Sequence, residues 1–485
     1  MSHSVGSLPL VEELRPVPTV WQVVRGLADQ PYLLALDSAL LDSPLAQYSF
    51  VTAGPLAWLE ARGPAWSVRL APTAPPTLDP PPDRAPLEVV GEWLAAFRQD
   101  AVPGLPPFQG GVAGLWGYEL AGQFERLPRA GYDEFALPDL AVGLYPWVIA
   151  FDHRHDRAWL VVCPWPSRDQ AGRTISRLRA LLARAPESVP LPSLDGAKLP
   201  PARLAPQYPL PGWPGVTSSF SPEGFRAAIA RAIEYVHAGD CFQVNLAQRL
   251  LAPAQDTPLE LYQRLRTRNP APLAGLLWAR RLAVLSASPE RFVQVRGGQV
   301  LTRPIKGTRP RGATPEADAA LAAELCQSPK DRAENVMIVD LLRNDLGRVC
   351  AFGSVQVPRV CALESYRHVH HLVSEVCGRL RPGLGALDLL RASFPGGSVT
   401  GAPKVRAMQI IAELEPTVRG PYCGCLGYIG FDGDADFSIL IRTITQAHGW
   451  LQFPVGGGLV ADSEPASEYA ETLTKARGML NALTP

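Results

Sequence analysis

Excess charge of either sign is missing from this 485-residue chain, in which 46 basic side chains meet 46 acidic ones. A zero net charge supplies no global field for nucleic acid or an anionic membrane surface, so an anionic ligand has to be met by local charges. Long apolar runs are missing too. No stretch reaches the roughly 18 apolar residues of a membrane span, and the amino terminus lacks a charged segment leading into an apolar core and cleavage site. The expectation is a cytoplasmic protein with no membrane and no nucleic-acid partner. Paired cysteine spacing is absent as well: the eight cysteines are scattered, without zinc spacing or C-x-x-C. They read as small core residues, Cys423 and Cys425 included. No internal repeat is present. What the chain does have is apolar material, 47% of its residues, enough for two to three domain equivalents or one unusually large fold.

Prolines mark the joints. Nine of them between Pro186 and Pro214 leave little room for regular structure and read as a linker or long surface crossover. The stretch from Pro72 to Pro86 reads as a loop between strands. Three units follow: an amino-terminal region at 1–184, the proline-rich linker at 185–214, and a carboxy-terminal domain at 215–485. The first region alternates short strand-like runs, such as 32–36 and 158–162, with turn signals, and residues 87–97 are helix-like. Its glycine run, Gly110 to Tyr118, lacks the spacing and downstream acid of a dinucleotide fingerprint, which leaves close backbone packing.

The carboxy-terminal domain opens on a helix start, with Ser221 as cap, Pro222 at the first helical position and Phe225, Ile229, Ile233 and Val236 at helical spacing. Strands are expected at 241–246 and 282–285. A hairpin is expected around Arg296-Gly297-Gly298-Gln299, and helices across 316–342, 402–414 and 464–481. Strands with helices between them, but without strict βαβ alternation, make the fold class α+β.

Lys306 lies in Arg303-Pro304-Ile305-Lys306-Gly307-Thr308, just past the hairpin's second strand. An ordinary lysine, of pKa about 10.4, is neutral in roughly one copy in a few thousand at pH 7. A nucleophilic lysine therefore needs burial and a neighbouring cation, for which Arg303, Arg309 and Arg311 are the candidates. The plain alternative is a surface lysine beside a basic loop.

Five ordered segments decide between the two: Ser288-Pro289-Glu290-Arg291-Phe292, the Lys306 run, Ala333-Glu334-Asn335 through Arg348, Gly396 to Lys404, and Gly456-Gly457-Gly458. Together they resemble the chorismate-utilising enzymes, the anthranilate synthase component I family, over roughly the last 270 residues, about one large domain. The resemblance implies two large antiparallel sheets packed as a sandwich with helices outside. It is nearest to the branch that forms 4-amino-4-deoxychorismate, a precursor of 4-aminobenzoate and folate. The anthranilate-forming branch carries alanine at the position of Lys306 and usually histidine at that of Asn335. Competing readings are an anthranilate-forming enzyme, an isochorismate- or salicylate-forming relative using water, and a catalytically silent tryptophan- or metal-binding regulator.

The same resemblance implies roles. Lys306 becomes a nucleophile toward C2 of chorismate, Glu290 the general acid-base residue at C4, and His371 a family histidine near the C3 substituent. Gly307, Thr308, Ser398, Tyr422, Arg442, Gly456, Gly457 and Gly458 contact substrate, the glycines because backbone N–H groups can approach an anion where no Cβ intervenes. Glu334 and Glu471 match carboxylates that hold Mg²⁺, a hard cation suited to oxygen ligands, and Glu468 could hold a metal-bound water. On spacing alone Glu471 instead pairs with Lys475 on a solvated helix face. A metal site built from His368, His370 and His371 is not expected, because neighbours on a strand point to opposite faces. Ser43, Tyr48, Ser49 and Pro270 lie in stretches that hold tryptophan in some members. No reactive-cysteine elbow of a glutaminase is recognisable here, so the implied partners are ammonia and a separate glutamine amidotransferase subunit that delivers it.

Overall fold

The computed structural model describes residues 8–185, 189, 191–366 and 369–484. Pro186 and Pro190 of the linker, and His368, lie outside them. Two large antiparallel sheets, one of 12 strands and one of 11, face each other, and a third sheet has three strands. The α+β sandwich with outer helices is the observed architecture.

Aromatic side chains fill the space between the large sheets. Phe50, Phe108 and Tyr428 pack in a chain of ring contacts, stacked at 4.3 Å for Phe108–Tyr428 and edge-to-face at 5.6 Å for Phe50–Phe108. Helices Val20–Gly26, Arg168–Leu182, Pro258–Arg268 and Pro465–Leu483 cover the outer face of the 12-stranded sheet. Helices Pro86–Ala96, Pro329–Gly347 and Ala386–Ser393 cover that of the other. With both faces dry, strands such as Leu140–Tyr145 and Trp147–Asp152 are buried along their whole length and show no alternation.

Amino- and carboxy-terminal regions are woven through both sheets. Leu33–Asp37 pairs with Leu273–Trp278 in one, and Gly111–Trp116 with Cys425–Gly430 in the other. The glycine run packs backbone to backbone as expected: a Cβ on Gly111 would stand 2.1 Å from the Ile429 carbonyl oxygen, and one on Gly114 2.3 Å from that of Ala141.

Local signals place several elements closely. Ser221 caps helix Pro222–His237 through the Gly224 N–H at 2.9 Å, and the hairpin turns on Gly297 and Gly298, both at positive φ. Other boundaries differ. The helix expected across 316–342 is two, Pro315–Gln327 and Pro329–Gly347, because Pro329 lacks the N–H that would continue the first and pushes Ser328 to extended backbone. The helix expected from 402 starts at Lys404, since Gly401–Ala402 pairs as a short strand with Gln243–Val244.

Candidate functional site

Lys306 lies past the hairpin's second strand, Gln299–Thr302, and inside the strand that follows it, Ile305–Pro310. Ile305 pairs with Val373 and Thr308 with His371, so Lys306 and Gly307 together oppose Leu372 alone. Such a bulge re-aims a side chain out of the ladder. It needs Gly307, which sits at φ +82° and whose Cβ would press within 3.0 Å of Leu325 and Asp331. Thus released, the half-buried Lys306 amine donates to the Ser398 carbonyl at 3.2 Å.

Two side chains reach the same place from points where the chain crosses between the large sheets. Leu282–Ser288 belongs to the 12-stranded sheet and Arg291–Arg296 to the other, leaving Pro289 and Glu290 as the crossing. Arg442 lies in the return crossing, between Ala435–Ile439 and Thr443–Ala447, at φ +52°. The Ile439 N–H donates to the Glu290 carbonyl at 3.0 Å and ties the crossings together. Burial pushes the Glu290 carboxyl above its ordinary range, against the Ser398 hydroxyl, the Lys306 charge and the Ile305 N–H. The Arg442 guanidinium has no hydrogen-bond or ion-pair partner among the described residues, and burial lowers its pKa. It stands ready for an anion.

Burial also lowers the Lys306 pKa, opposed by Glu334, Glu290 and Glu471 and assisted by Lys475. The assisting cation is therefore not one of the expected arginines. Arg303 is paired with Glu364, Arg309 with Glu324 at 2.7 Å and Asp331 at 3.2 Å, and Arg311 with Asp318 at 2.6 Å. A paired arginine has little field left to act on a neighbour. Lys475, on helix Pro465–Leu483, is 169 positions from Lys306 in the chain.

His371 accepts from or donates to the Thr308 hydroxyl at 2.9 Å through Nδ1. Burial takes its pKa down to about 4, against the pull of the Gly307 backbone. The ring is thus neutral from pH 5 upward. In ¹³C-labelled histidine spectra, with the resonance assigned by His371→Asn, it should show no step near pH 6.5 and titrate near 4. His370 points elsewhere, to Asp318 at 2.9 Å and Ser365 at 2.7 Å. Asn335, fully buried, bonds the Leu372 carbonyl at 3.3 Å and receives the Ser374 hydroxyl, locking helix Pro329–Gly347 to the histidine strand.

The three candidate metal carboxylates come from two helices. Glu468 is buried, bonded by Ser463 at 2.7 Å and approached by Lys330 at 3.5 Å. Glu471 is more exposed and does pair with Lys475, at 2.6 Å; burial raises its carboxyl, but Lys475 and Lys330 bring it below its ordinary range. Glu334 is pushed up by burial and by Asp331 and Glu468, with Lys306 and Lys330 opposing. Gly457 gives the test of fit for a cation. A Cβ there would lie 3.4 Å from Lys475 Nζ, 3.5 Å from Glu468 Oε2 and 4.0 Å from Glu471 Oε1, so the glycine keeps open a cradle rimmed by carboxylate oxygens. Among the described residues no three His, Cys, Asp or Glu side chains are grouped so that they could hold a metal ion by themselves. The cradle's carboxylate oxygens suit Mg²⁺, which keeps waters and takes substrate oxygens, while the Lys475 ammonium shares the rim with them.

Ser398 and Tyr422 are buried. Tyr422 lies in the turn ahead of strand Cys425–Gly430, within 5.6 Å of the Arg419 guanidinium. Gln243 reads in the sequence only as part of a strand. It is fully buried against Gly458, and neither atom of its carboxamide has a hydrogen-bond partner among the described residues. An uncharged polar residue in an apolar strand was the available signal.

The stretches expected to hold tryptophan meet at a separate cavity of about 290 Å³, walled by Pro44, Tyr48 and Pro272. Of Ser43, Tyr48, Ser49 and Pro270, only Tyr48 lines it. The Ser49 hydroxyl instead serves the Ser38 N–H at 2.9 Å and His153 at 2.7 Å, and Ser43 caps the Leu45 N–H at 3.3 Å. Cys423 and Cys425 are buried, with thiols pushed up by that burial, Cys423 to about 12, and all eight cysteines are unpaired. No helix among the described residues is long and apolar enough to cross a membrane.

Residues 38–481 match the chorismate binding enzyme family. The chain is 41% identical to aminodeoxychorismate synthase component 1 of Klebsiella aerogenes, over 94% of this chain and 95% of that one. It is 46% identical to anthranilate synthase component 1 of Streptomyces coelicolor, over 82% and 79%. Among solved structures, anthranilate synthase component I from Streptococcus pneumoniae TIGR4 superposes with a TM-score of 0.75 at 31% identity, covering 91% of this chain and 94% of that one. On the extent of these matches, and on the ordered segments that meet at Lys306, the chain belongs to the chorismate binding enzyme family.

Proposed function

We propose that this protein is the chorismate-aminating component of an aminodeoxychorismate synthase, which forms 4-amino-4-deoxychorismate by way of a covalent Lys306 adduct. Percentage identity does not separate the two branches, because the anthranilate relative is more identical over a shorter span. The reading rests on one observation: an amine, with its pKa lowered by burial, is aimed by a bulge at the Ser398 loop beside Glu290.

Arg442 and the Gly456–Gly458 backbone hold the enolpyruvyl carboxylate, and Tyr422 packs against that arm. Glu334 and Glu471, with Glu468 behind, hold Mg²⁺, which when bound neutralises the ring carboxylate. Neutral Lys306 adds to C2, both ring double bonds shift (C1=C2 to C1=C6 and C5=C6 to C4=C5), and the C4–O bond breaks as Glu290 gives its proton to the departing hydroxyl, releasing water. Ammonia then adds to C4, both double bonds shift back, and the C2–N bond to Lys306 breaks. Glu290 takes the surplus ammonium proton, and the enolpyruvyl group stays. The component 1 designation of the Klebsiella aerogenes relative supports a second component here, a glutamine amidotransferase that supplies the ammonia.

Mass spectrometry of products from chorismate and Mg²⁺, with and without ammonia, tests the reading. The expected result is ammonia-dependent 4-amino-4-deoxychorismate; anthranilate or isochorismate as the product would refute it. The field at Lys306 adds a prediction with a definite sign. Activity should rise with pH as the amine loses its proton, below the ordinary lysine value of 10.5. Lys475→Met removes a cation that helps hold this pKa down, so the rising limb of kcat/KM should move to higher pH.

A further inference from the structure

Apart from the residues assigned to chorismate lies a second opening, a surface pocket of about 700 Å³ lined by Trp66, Leu87, Tyr118, Gly122, Ala412 and Arg419 among others. None of Glu290, Lys306, Ser398, Tyr422, Arg442 or the 456–458 glycines lines it. Its inner wall nevertheless adjoins them. Arg419 is paired with Glu415 inside the protein, and its guanidinium lies over the rings of both Tyr118, at 4.8 Å, and Tyr422, at 5.6 Å. The same guanidinium donates to the Val399 carbonyl at 3.0 Å and the Asn245 carbonyl at 2.8 Å. Val399 follows Ser398, whose carbonyl takes the Lys306 amine. The Cys423 thiol is within electrostatic reach of Arg419 and Glu415 on one hand and of Glu290 on the other.

Three polar atoms in or behind this lining are buried and have no hydrogen-bond partner among the described residues: the Tyr118 hydroxyl and the Gln123 side-chain nitrogen of the pocket, and the side-chain oxygen of Asn245 behind Arg419. Buried polar atoms are nearly always paired, so orphans between a pocket and a reaction site mark the passage of a small polar guest. Ammonia fits, with three N–H groups to donate and a lone pair to accept.

We infer that ammonia enters through this pocket and passes the Tyr118–Arg419–Tyr422 stack to reach C4, so that nitrogen and chorismate use separate openings. The inference rests on the amination reading given above. It implies that the ammonia-supplying subunit covers the rim around Gly122.

Gly122 provides the test, because it is exposed, has open space where a Cβ would stand, and is not in the left-handed region. Gly122→Cys should keep wild-type kinetics with ammonium chloride as nitrogen source. Disulfide attachment of a bulky methanethiosulfonate reagent should then lower kcat/KM for ammonia at least about tenfold with KM for chorismate unchanged, and reductant should restore it. Wild-type protein treated alike controls for half-buried Cys326 and Cys377. Ala412→Trp, on the pocket's other side, should act in the same sense. Unchanged ammonia kinetics in the blocked variant, or a matching loss of chorismate affinity, would overturn the route and leave the amination reading standing. Failure of the unmodified protein to make 4-amino-4-deoxychorismate from ammonia would overturn that reading first.

Discussion

Lys306→Ala should lower the rate of 4-amino-4-deoxychorismate formation about a thousand-fold, roughly 4 kcal/mol of barrier, with ammonia and Mg²⁺ saturating. The variant loses the atom that bonds to C2, while Glu290, Arg442 and the carboxylates of the cradle remain. Chorismate binding should therefore survive, and the loss should appear in kcat. Ammonia is then free to attack C2 itself, and pyruvate can leave, so a small anthranilate signal should emerge by fluorescence. Lys306→Arg should be equally inactive but without anthranilate, because the guanidinium fills the space and stays charged. Intact-mass measurement of the wild type during turnover should catch the adduct on Lys306. Undiminished output from Lys306→Ala would remove the covalent step.

Arg419→Met should be the most destabilising single change near the site, by about 3–5 kcal/mol, because breaking a buried ion pair strands the other charge. Both partners are about 5% exposed, and the pair is two-pronged, at 2.5 and 2.9 Å. The arginine also supplies the donors for the Val399 and Asn245 carbonyls. Adding Glu415→Leu should recover only part of the loss. That second change removes the stranded charge, but it also removes the acceptor of the Ala247 N–H at 2.8 Å. Denaturant midpoints of the three proteins decide the matter; a single variant as stable as wild type would show that water reaches Glu415 in place of arginine.

Much of the local structure was legible in the residues. Ser221-Pro222, Gly297-Gly298 and the glycine run at 110–118 act through contacts a few positions apart, or through a missing Cβ, and each did what its chemistry implies. Thr257, with Pro258 and Glu260 after it, is a full capping box and starts helix Pro258–Arg268. Helix Arg168–Leu182 was obscured by the strand-like runs before it. Buried strands without alternation gave no period to read.

By itself, then, the order of residues determined the family, the α+β class and the position of the candidate amine, since those rest on short runs whose chemistry is local. Only the tertiary structure decided which charges act on that amine. Arg303, Arg309 and Arg311 are neighbours in sequence but are paired to carboxylates, whereas Lys475 and Glu471 are brought in by helix Pro465–Leu483, far along the chain. Electrostatic influence falls off with distance through space and grows with burial, and neither quantity is carried by position in the chain.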